Sequence, residues 1–441
     1  MDRRELLKSA VAATAATAAT AAPAAAPPRS TTRHLGSPKT RRFTEQRWTL
    51  DNIIRANGID WDQPRSVYLS APMGPEANAD FATIRARVQK YADCSPAFEA
   101  VARRREARAR GAEEAGSPVT ARENYFMAAI HFGAAQWPFD ENSDANIALN
   151  ERKRDCFRNY ARLADHRVEE AWVTLPGGDK LPAWFHLPPN YRGGRIPAVI
   201  SVPGMDSFKE SGVAMYGDRW LSRGIAVLAI DGPGQYESPV LGIYFSMPAW
   251  AATGTACVDW LTARSEVDPG RIAITGNSFG SLFATVAAAA EPRLAAVAVT
   301  STCLEPGCHT IFEEASPTFK MRFMYMSGIV DEAEFDRFRQ SITWEGHAEK
   351  IAAPYLCLAG EADELSPLVN AERMFQAMKA PRNLVIYQDS RHSVGGVPAA
   401  NLGPAPAVLA ADFIAARFAG TALASERWYV DATGRIARTP L

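Results

Sequence analysis

After residue 166 the chain alternates between short apolar runs and segments whose apolar residues recur every three or four positions. Ile196 to Val202, Arg271 to Thr275 and Pro354 to Gly360 are the right length and composition for buried strands, and Asn383 to Tyr387 makes the last one. Val168 to Leu175 and Pro182 to Leu187 form a strand pair joined at Gly177-Gly178. Strand and helix in alternation predict an α/β fold, with a mostly parallel central sheet and helices on both faces. Before residue 166 the pattern is helical. Thr120 with Glu123 forms a capping box, opening a helix that carries Tyr125, Phe126, Ala129 and Phe132 on one face. A second helix begins near Ser143 and buries Ile147, Phe157 and Tyr160. The expected organisation is an N-terminal tail over 1–26, an extended segment over 27–74, a helical cap over 75–165 and a core over 166–441. A lid-like insertion at 301–350 carries Phe312, Phe319, Met321, Phe323, Met324, Tyr325 and Met326.

The candidate chemistry sits at one strand-to-helix junction. Gly276-Asn277-Ser278-Phe279-Gly280 directly follows an apolar run and directly precedes the helical Leu282 to Ala288, the context of a nucleophile elbow. The glycines permit a turn too tight for flanking side chains, and the turn lifts the Ser278 hydroxyl above the sheet. A neutral hydroxyl is a weak nucleophile, so a base and an orienting acid are required. In this strand order the acid and then the histidine follow the serine. Asp363 lies in the turn Gly360-Glu361-Ala362-Asp363-Glu364, with Glu361 and Glu364 as rivals. His392 lies in the loop after Tyr387 and is chosen over His309, which precedes the acid. Loops at the carboxyl ends of parallel strands gather on one edge, which brings the three together. The backbone N–H of Phe279 and of Met205, in Pro203-Gly204-Met205-Asp206-Ser207, are the expected oxyanion donors.

At these residues the sequence resembles the α/β-hydrolases, within them the FrsA-like esterases and the subgroup of the carbon–carbon hydrolase of bacterial nicotine breakdown. Pro203 to Glu210 is similar to that subgroup's Gly-Gly-x-Asp-Ser-x-Lys-Glu, and Asp231 to Glu237 to its Asp-Gly-Pro-Gly-Gln-Gly-Glu. The resemblance covers about Thr120 to the C-terminus and implies an α/β-hydrolase fold with an N-terminal helical cap over the pocket. Two positions depart: Pro203 replaces the first glycine of one signature and Tyr236 a glycine of the other. Asp206, Lys209 and Glu237 are expected to form an ion-paired scaffold under the oxyanion loop, with Glu237 the one that could touch substrate.

The N-terminus changes the picture in one respect. Arg3-Arg4, with Leu6 and Leu7 close behind, an Ala/Thr stretch and then Ala22-Pro23-Ala24, resembles a twin-arginine export signal, so a periplasmic or secreted protein is expected. After signal removal no stable membrane insertion is expected. With 48 Lys and Arg against 49 Asp and Glu, no global field recruits nucleic acid, and Arg103 to Arg108 reads as a solvated helix face. The six cysteines lack zinc-ligand spacing, only Cys303 and Cys308 could pair, and neither metal nor cofactor is expected.

The expected partner is a small-molecule substrate, and homo-oligomerisation stays open. The expected reaction is hydrolysis of a carboxylic ester of a medium-sized, largely apolar or aromatic substrate through an acyl-enzyme. Hydrolysis of a carbon–carbon bond beside a ketone is the alternative, followed by acyl transfer and by non-catalytic ligand binding on the same fold.

Overall fold

The computed structural model describes residues 36–441, so the tail expected to act as an export signal lies outside the described residues. Among the described residues ten strands form one sheet: β1 (Val168–Thr174), β2 (Lys180–His186), β3 (Ile196–Val202), β4 (Ala226–Ile230), β5 (Val267–Ser278), β6 (Ala296–Thr302), β7 (Tyr355–Gly360), β8 (Arg382–Tyr387), β9 (Glu426–Val430) and β10 (Ile436–Pro440). Their order is β1-β2-β4-β3-β5-β6-β7-β8-β9-β10. From β4 through β9 neighbours run parallel, whereas β1, β2 and β10 are antiparallel additions at the edges. The central strands are buried on both faces, as their unbroken apolar runs require.

Two of these strands, β9 and β10, follow what the sequence marks as the last. Glu426–Val430 mixes charged and aromatic residues and is half-buried, so it lacks the apolar run of an internal strand.

Four long helices, Asn78–Arg87, Cys94–Glu114, Pro118–Gln136 and Asp144–Leu163, fill the helical N-terminal region expected to be the cap. The third does not open on a Thr120 capping box. It begins at Pro118 with Ser117 before it, and Thr120 lies inside the first turns, where its carbonyl accepts from Asn124 Nδ2. A proline at the first helical position fixes the helical φ there and needs no N–H, which sets the boundary earlier. Ser143 caps the fourth helix by accepting from the Asn146 N–H.

The segment expected to be extended over 27–74 is instead helical through much of its described part, with helices Arg47–Asn57 and Arg65–Ser70. Leu50, Ile54, Ile59, Leu69 and Met73 enter the same apolar cluster as the cap helices. Packing a sparse apolar face against the cap selects helix where the local pattern is weak. The segment also reaches the insertion, where the Arg42 guanidinium donates to the carbonyls of Phe312 (3.0 Å) and Ala315 (2.8 Å).

Cap and core meet at Phe208, Trp184 and Tyr236, which belong to the core by sequence and to the cap's apolar cluster by contact. A Cβ at Gly133 would lie 2.2 Å from the Phe208 ring, so the cap helix approaches the β3 loop as closely as only glycine allows. Beside this contact Lys153, Arg154 and Lys209 meet Glu210, Asp231 and Glu237 inside the protein. Lys209 Nζ lies 2.5 Å from Glu237, 2.8 Å from Glu210 and 3.3 Å from Asp231. Lys153 Nζ lies 3.5 Å from Glu210 and 3.9 Å from Asp231, long ion pairs without a hydrogen bond, so it acts as a balancing charge. Arg154 pairs with Glu237 at 3.1 Å. Burial pushes the Lys153 ammonium below its usual range, and repulsion from Lys209 adds to this against the pull of the carboxylates.

Lys153→Met should therefore destabilise the fold by about 3 to 5 kcal/mol, because it strips a compensating charge from buried carboxylates. Urea unfolding of wild type and variant checks this, and equal midpoints would show that Lys153 is not needed for charge balance.

Candidate active site

Ser278 ends β5 in a left-handed conformation (φ 54, ψ −129) immediately before the helix Phe279–Ala290. Such a backbone is strained for a residue with a Cβ and persists only where its surroundings enforce it. The flanking glycines are the enforcement. A Cβ at Gly276 would fall 2.0 Å from the carbonyl oxygen of Gly280, and one at Gly280 would fall 2.5 Å from that of Val202.

The turn places Ser278 Oγ 2.9 Å from His392 Nε2. The opposite ring nitrogen, Nδ1, lies 3.0 and 3.1 Å from the two Asp363 oxygens. Asp363 Oδ1 also accepts the N–H groups of Leu365 (2.9 Å) and Ser366 (3.0 Å), which fix the carboxylate in its turn. The two rival acids are occupied elsewhere: Glu364 accepts the His392 backbone N–H at 3.0 Å, and Glu361 accepts the Asp389 N–H and the Tyr429 hydroxyl. His309 is exposed and sits 3.4 Å from Glu314. Burial by itself would push the His392 imidazole down, but the Asp363 carboxylate, with a further push from Cys303, holds it well above the usual range.

Met205 and Phe279 flank this group, one in the loop after β3 and the other at the helix start. That loop lies hard against the serine, since a Cβ on Gly204 would be 2.8 Å from Ser278 Cβ. A cavity of about 600 Å³ opens on Ser278 and His392, with Met205, Phe208, Ile311 and Phe319 among its walls. Of the insertion's aromatic and methionine residues singled out above, Phe319 lines it, whereas Phe312, Phe323 and Met324 are packed in the apolar core.

The profile of the family described as "Esterase FrsA-like" matches residues 96–334. This chain belongs to the FrsA-like esterase family. It is 30% identical to the 2,6-dihydropseudooxynicotine hydrolase of Paenarthrobacter nicotinovorans over 311 residues, which cover 68% of this chain and 77% of that one. A crystal structure of 2,6-dihydroxy-pseudo-oxynicotine hydrolase superposes with a TM-score of 0.69 at 25% identity, covering 81% of this chain and 98% of that one. The α/β hydrolase xenA of Xenoacremonium sinensis is 29% identical over 52% of this chain and 54% of its own length. The chain thus spans about half the length of that fungal relative. The fold is the α/β-hydrolase fold, with a helical N-terminal region.

Within this family member the expected scaffold divides in two. Lys209 and Glu237 are paired in the buried cluster, and Glu237 has no exposed surface from which to touch a substrate. Asp206 is not part of that cluster. It accepts from Trp137 Nε1 and lies 3.8 Å from Arg65, so the cap and the N-terminal segment hold it. The resulting support beneath the loop after β3 includes a residue that sequence reasoning missed. Gln235 accepts the Gly232 N–H at 2.9 Å and donates through Nε2 to the Pro203 carbonyl, tying the loop after β4 to the loop after β3.

Cys303 was also missed as a neighbour of the serine. Its Sγ lies 3.7 Å from Ser278 Oγ. The signal available was its place just past β6, the strand that pairs with β5. All six cysteines are free thiols, so Cys303 and Cys308 do not bridge. Among the described residues no cluster of His, Cys, Asp and Glu is arranged to hold a metal ion, and no helix is long and apolar enough to cross a membrane.

The His392 ring should titrate above the 6.5 of an ordinary histidine in the wild type. In Asp363→Asn the carboxylate is gone and burial remains, so the ring should titrate below it. Nitrogen-15 spectra of the ring report both values, and identical titration in the two proteins would remove Asp363 as the partner.

Proposed function

We propose that this protein is a serine hydrolase that cleaves a carboxylic ester of a medium-sized, largely apolar or aromatic substrate through an acyl-enzyme. The observation that carries the reading is the continuous contact from Ser278 Oγ to His392 Nε2, and from Nδ1 to Asp363, at the mouth of a cavity of about 600 Å³. His392 removes the Ser278 proton as Oγ adds to the carbonyl carbon. The Met205 and Phe279 N–H groups receive the oxyanion. The imidazolium then protonates the departing alkoxide, and the alcohol leaves. Water enters, gives its proton to His392 and attacks the acyl-enzyme, and collapse returns the proton to Ser278 and frees the acid. A buried Asp363 serves this cycle by holding one tautomer and by stabilising the imidazolium.

A second reading has its own support in the relationship to 2,6-dihydropseudooxynicotine hydrolase over most of that protein's length. Here the bond broken is carbon–carbon beside a ketone, the leaving group is a carbanion, and the His392 imidazolium delivers its proton to carbon. The acyl-enzyme and its hydrolysis are the same. Nothing in the contact set favours acyl transfer, because the cavity is large enough to admit water beside an acyl group.

Hydrolysis of p-nitrophenyl butyrate and of an aryl 1,3-diketone, measured side by side, separates the readings. The ester should be cleaved, and Ser278→Ala should lower kcat by about ten-thousand-fold or more. Asp363→Asn should lower it by about ten-thousand-fold with little change in KM, since the tautomer and not the pocket is altered. Cleavage of the diketone alone would promote the carbon–carbon reading. Turnover by Ser278→Ala at the wild-type rate would end both.

A further inference from the structure

Behind the oxyanion loop lies a second chamber of about 10 Å³, walled by Trp61, Arg65, Tyr68, Trp137, Asp206 and Tyr236 among others. It shares Tyr68 and Asp206 with the reaction cavity, so the two volumes are neighbours across those side chains. Its size is that of a single oxygen-sized occupant.

Four of the wall residues carry a buried polar atom with no protein partner among the described residues: Trp61 Nε1, Arg65 Nε, Tyr68 OH and Tyr236 OH. Buried polar groups in folded proteins are nearly always paired, so four around one chamber demand a reason. All four are donors. Arg65 uses its terminal nitrogens on Asp62, the Ile59 carbonyl and Asp206, which leaves Nε over, and its guanidinium is clamped 4.2 and 4.0 Å over the Trp61 and Trp137 rings. Burial pushes the Tyr68 and Tyr236 phenols upward, so both keep their protons and donate.

Tyr236 adds an independent observation. It holds φ 32, a left-handed conformation that favours glycine, at the position where the signature it resembles has glycine. A chain that accepts this strain to place a tyrosine there uses the side chain. The charges around the chamber balance, with Arg65 and Arg322 against Asp62 and Asp206; Arg322 lies 4.8 Å over the Tyr236 ring. The site therefore suits a neutral acceptor better than a carboxylate.

We propose that this chamber is an oxygen-binding subsite, and that the substrate carries, besides the scissile carbonyl, a neutral acceptor oxygen such as a ketone that enters it from the oxyanion-loop side. The proposal rests on the hydrolase reading above and narrows its substrate class. Water is the resting occupant, and the substrate oxygen replaces it while the apolar body fills the larger cavity. Tyr68, on the N-terminal segment, and Tyr236, after β4, are the specificity-determining residues.

The test compares kcat/KM for p-nitrophenyl 3-oxopentanoate and 4-oxopentanoate with that for p-nitrophenyl pentanoate, in wild type, Tyr68→Phe and Tyr236→Phe. Using the ratio cancels any loss common to all three esters, including partial misfolding. Wild type should favour one keto ester by about tenfold or more, and at least one Phe variant should bring that ratio close to unity. No preference in wild type, or a preference untouched by both variants, overturns the proposal. Should no ester be turned over, the ester reading fails separately. The subsite is then judged by binding of methyl 3-oxopentanoate, methyl 4-oxopentanoate and methyl pentanoate to Ser278→Ala and Ser278→Ala/Tyr236→Phe. Tighter binding of a keto compound that the second substitution abolishes supports the subsite, and equal binding overturns it.

Discussion

The geometry above the sheet depends on one buried junction, where Lys153, Arg154 and Lys209 interlock with Glu210, Asp231 and Glu237. These charges come from three places: the last cap helix, the loop after β3 and the loop after β4. Removing so many charges from water carries a large desolvation cost, and mutual attraction offsets it only when every partner is in place. Lys209 also donates its backbone N–H to Asp231 at 2.8 Å, so the loop that carries Met205 is anchored a few residues downstream of Met205.

Strain is concentrated on the same edge. Among the described residues five other than glycine have positive φ; Ser278, Ser301 and Asp389 lie at or just beyond the carboxyl ends of β5, β6 and β8, and Tyr236 lies in the loop that follows β4. A parallel sheet delivers these ends to one rim, and sharp turns there aim side chains into the space above it. The rest of the described fold bears the cost through the buried central strands, whose apolar packing supplies the excess stability that local strain consumes.

Much of that rim was legible in the sequence, because its signals are local. Ser278 is marked by two glycines whose Cβ atoms would have no room, and Asp363 and His392 by turns that follow apolar runs in the required order. The last two strands were not legible, since Glu426–Val430 is half-buried and mixes charges with aromatics. The N-terminal segment was missed for a different reason. Its helices depend on a face contributed by the cap, and nothing local announces that Gln63 and Tyr68 meet the serine's cavity. The partner of Asp206 was hidden in the same way: Arg65 lies 141 positions away, and ion pairs of that range leave no periodic trace.

This division explains why the chemistry is easier to read than the substrate. Ser278, Asp363 and His392 stand at or after the ends of β5, β7 and β8, parallel strands of one sheet with β6 between the first two, and the pairing of that sheet fixes their spacing whatever lies above. The roof is built from three separated segments that hold one another. Arg42 reaches from the N-terminal segment to the insertion, Arg322 donates from the insertion to the Phe139 carbonyl at 2.8 Å, and Tyr325 joins Asn142 at 2.7 Å. A substitution in any one segment shifts the walls contributed by the others, so cavity shape is a property of the set. Chains that share the strand ends can therefore diverge in substrate without touching Ser278, Asp363 or His392. In this chain the divergence is visible at Tyr236, where a side chain occupies a backbone position suited to glycine and closes the wall between the cap and the β3 loop.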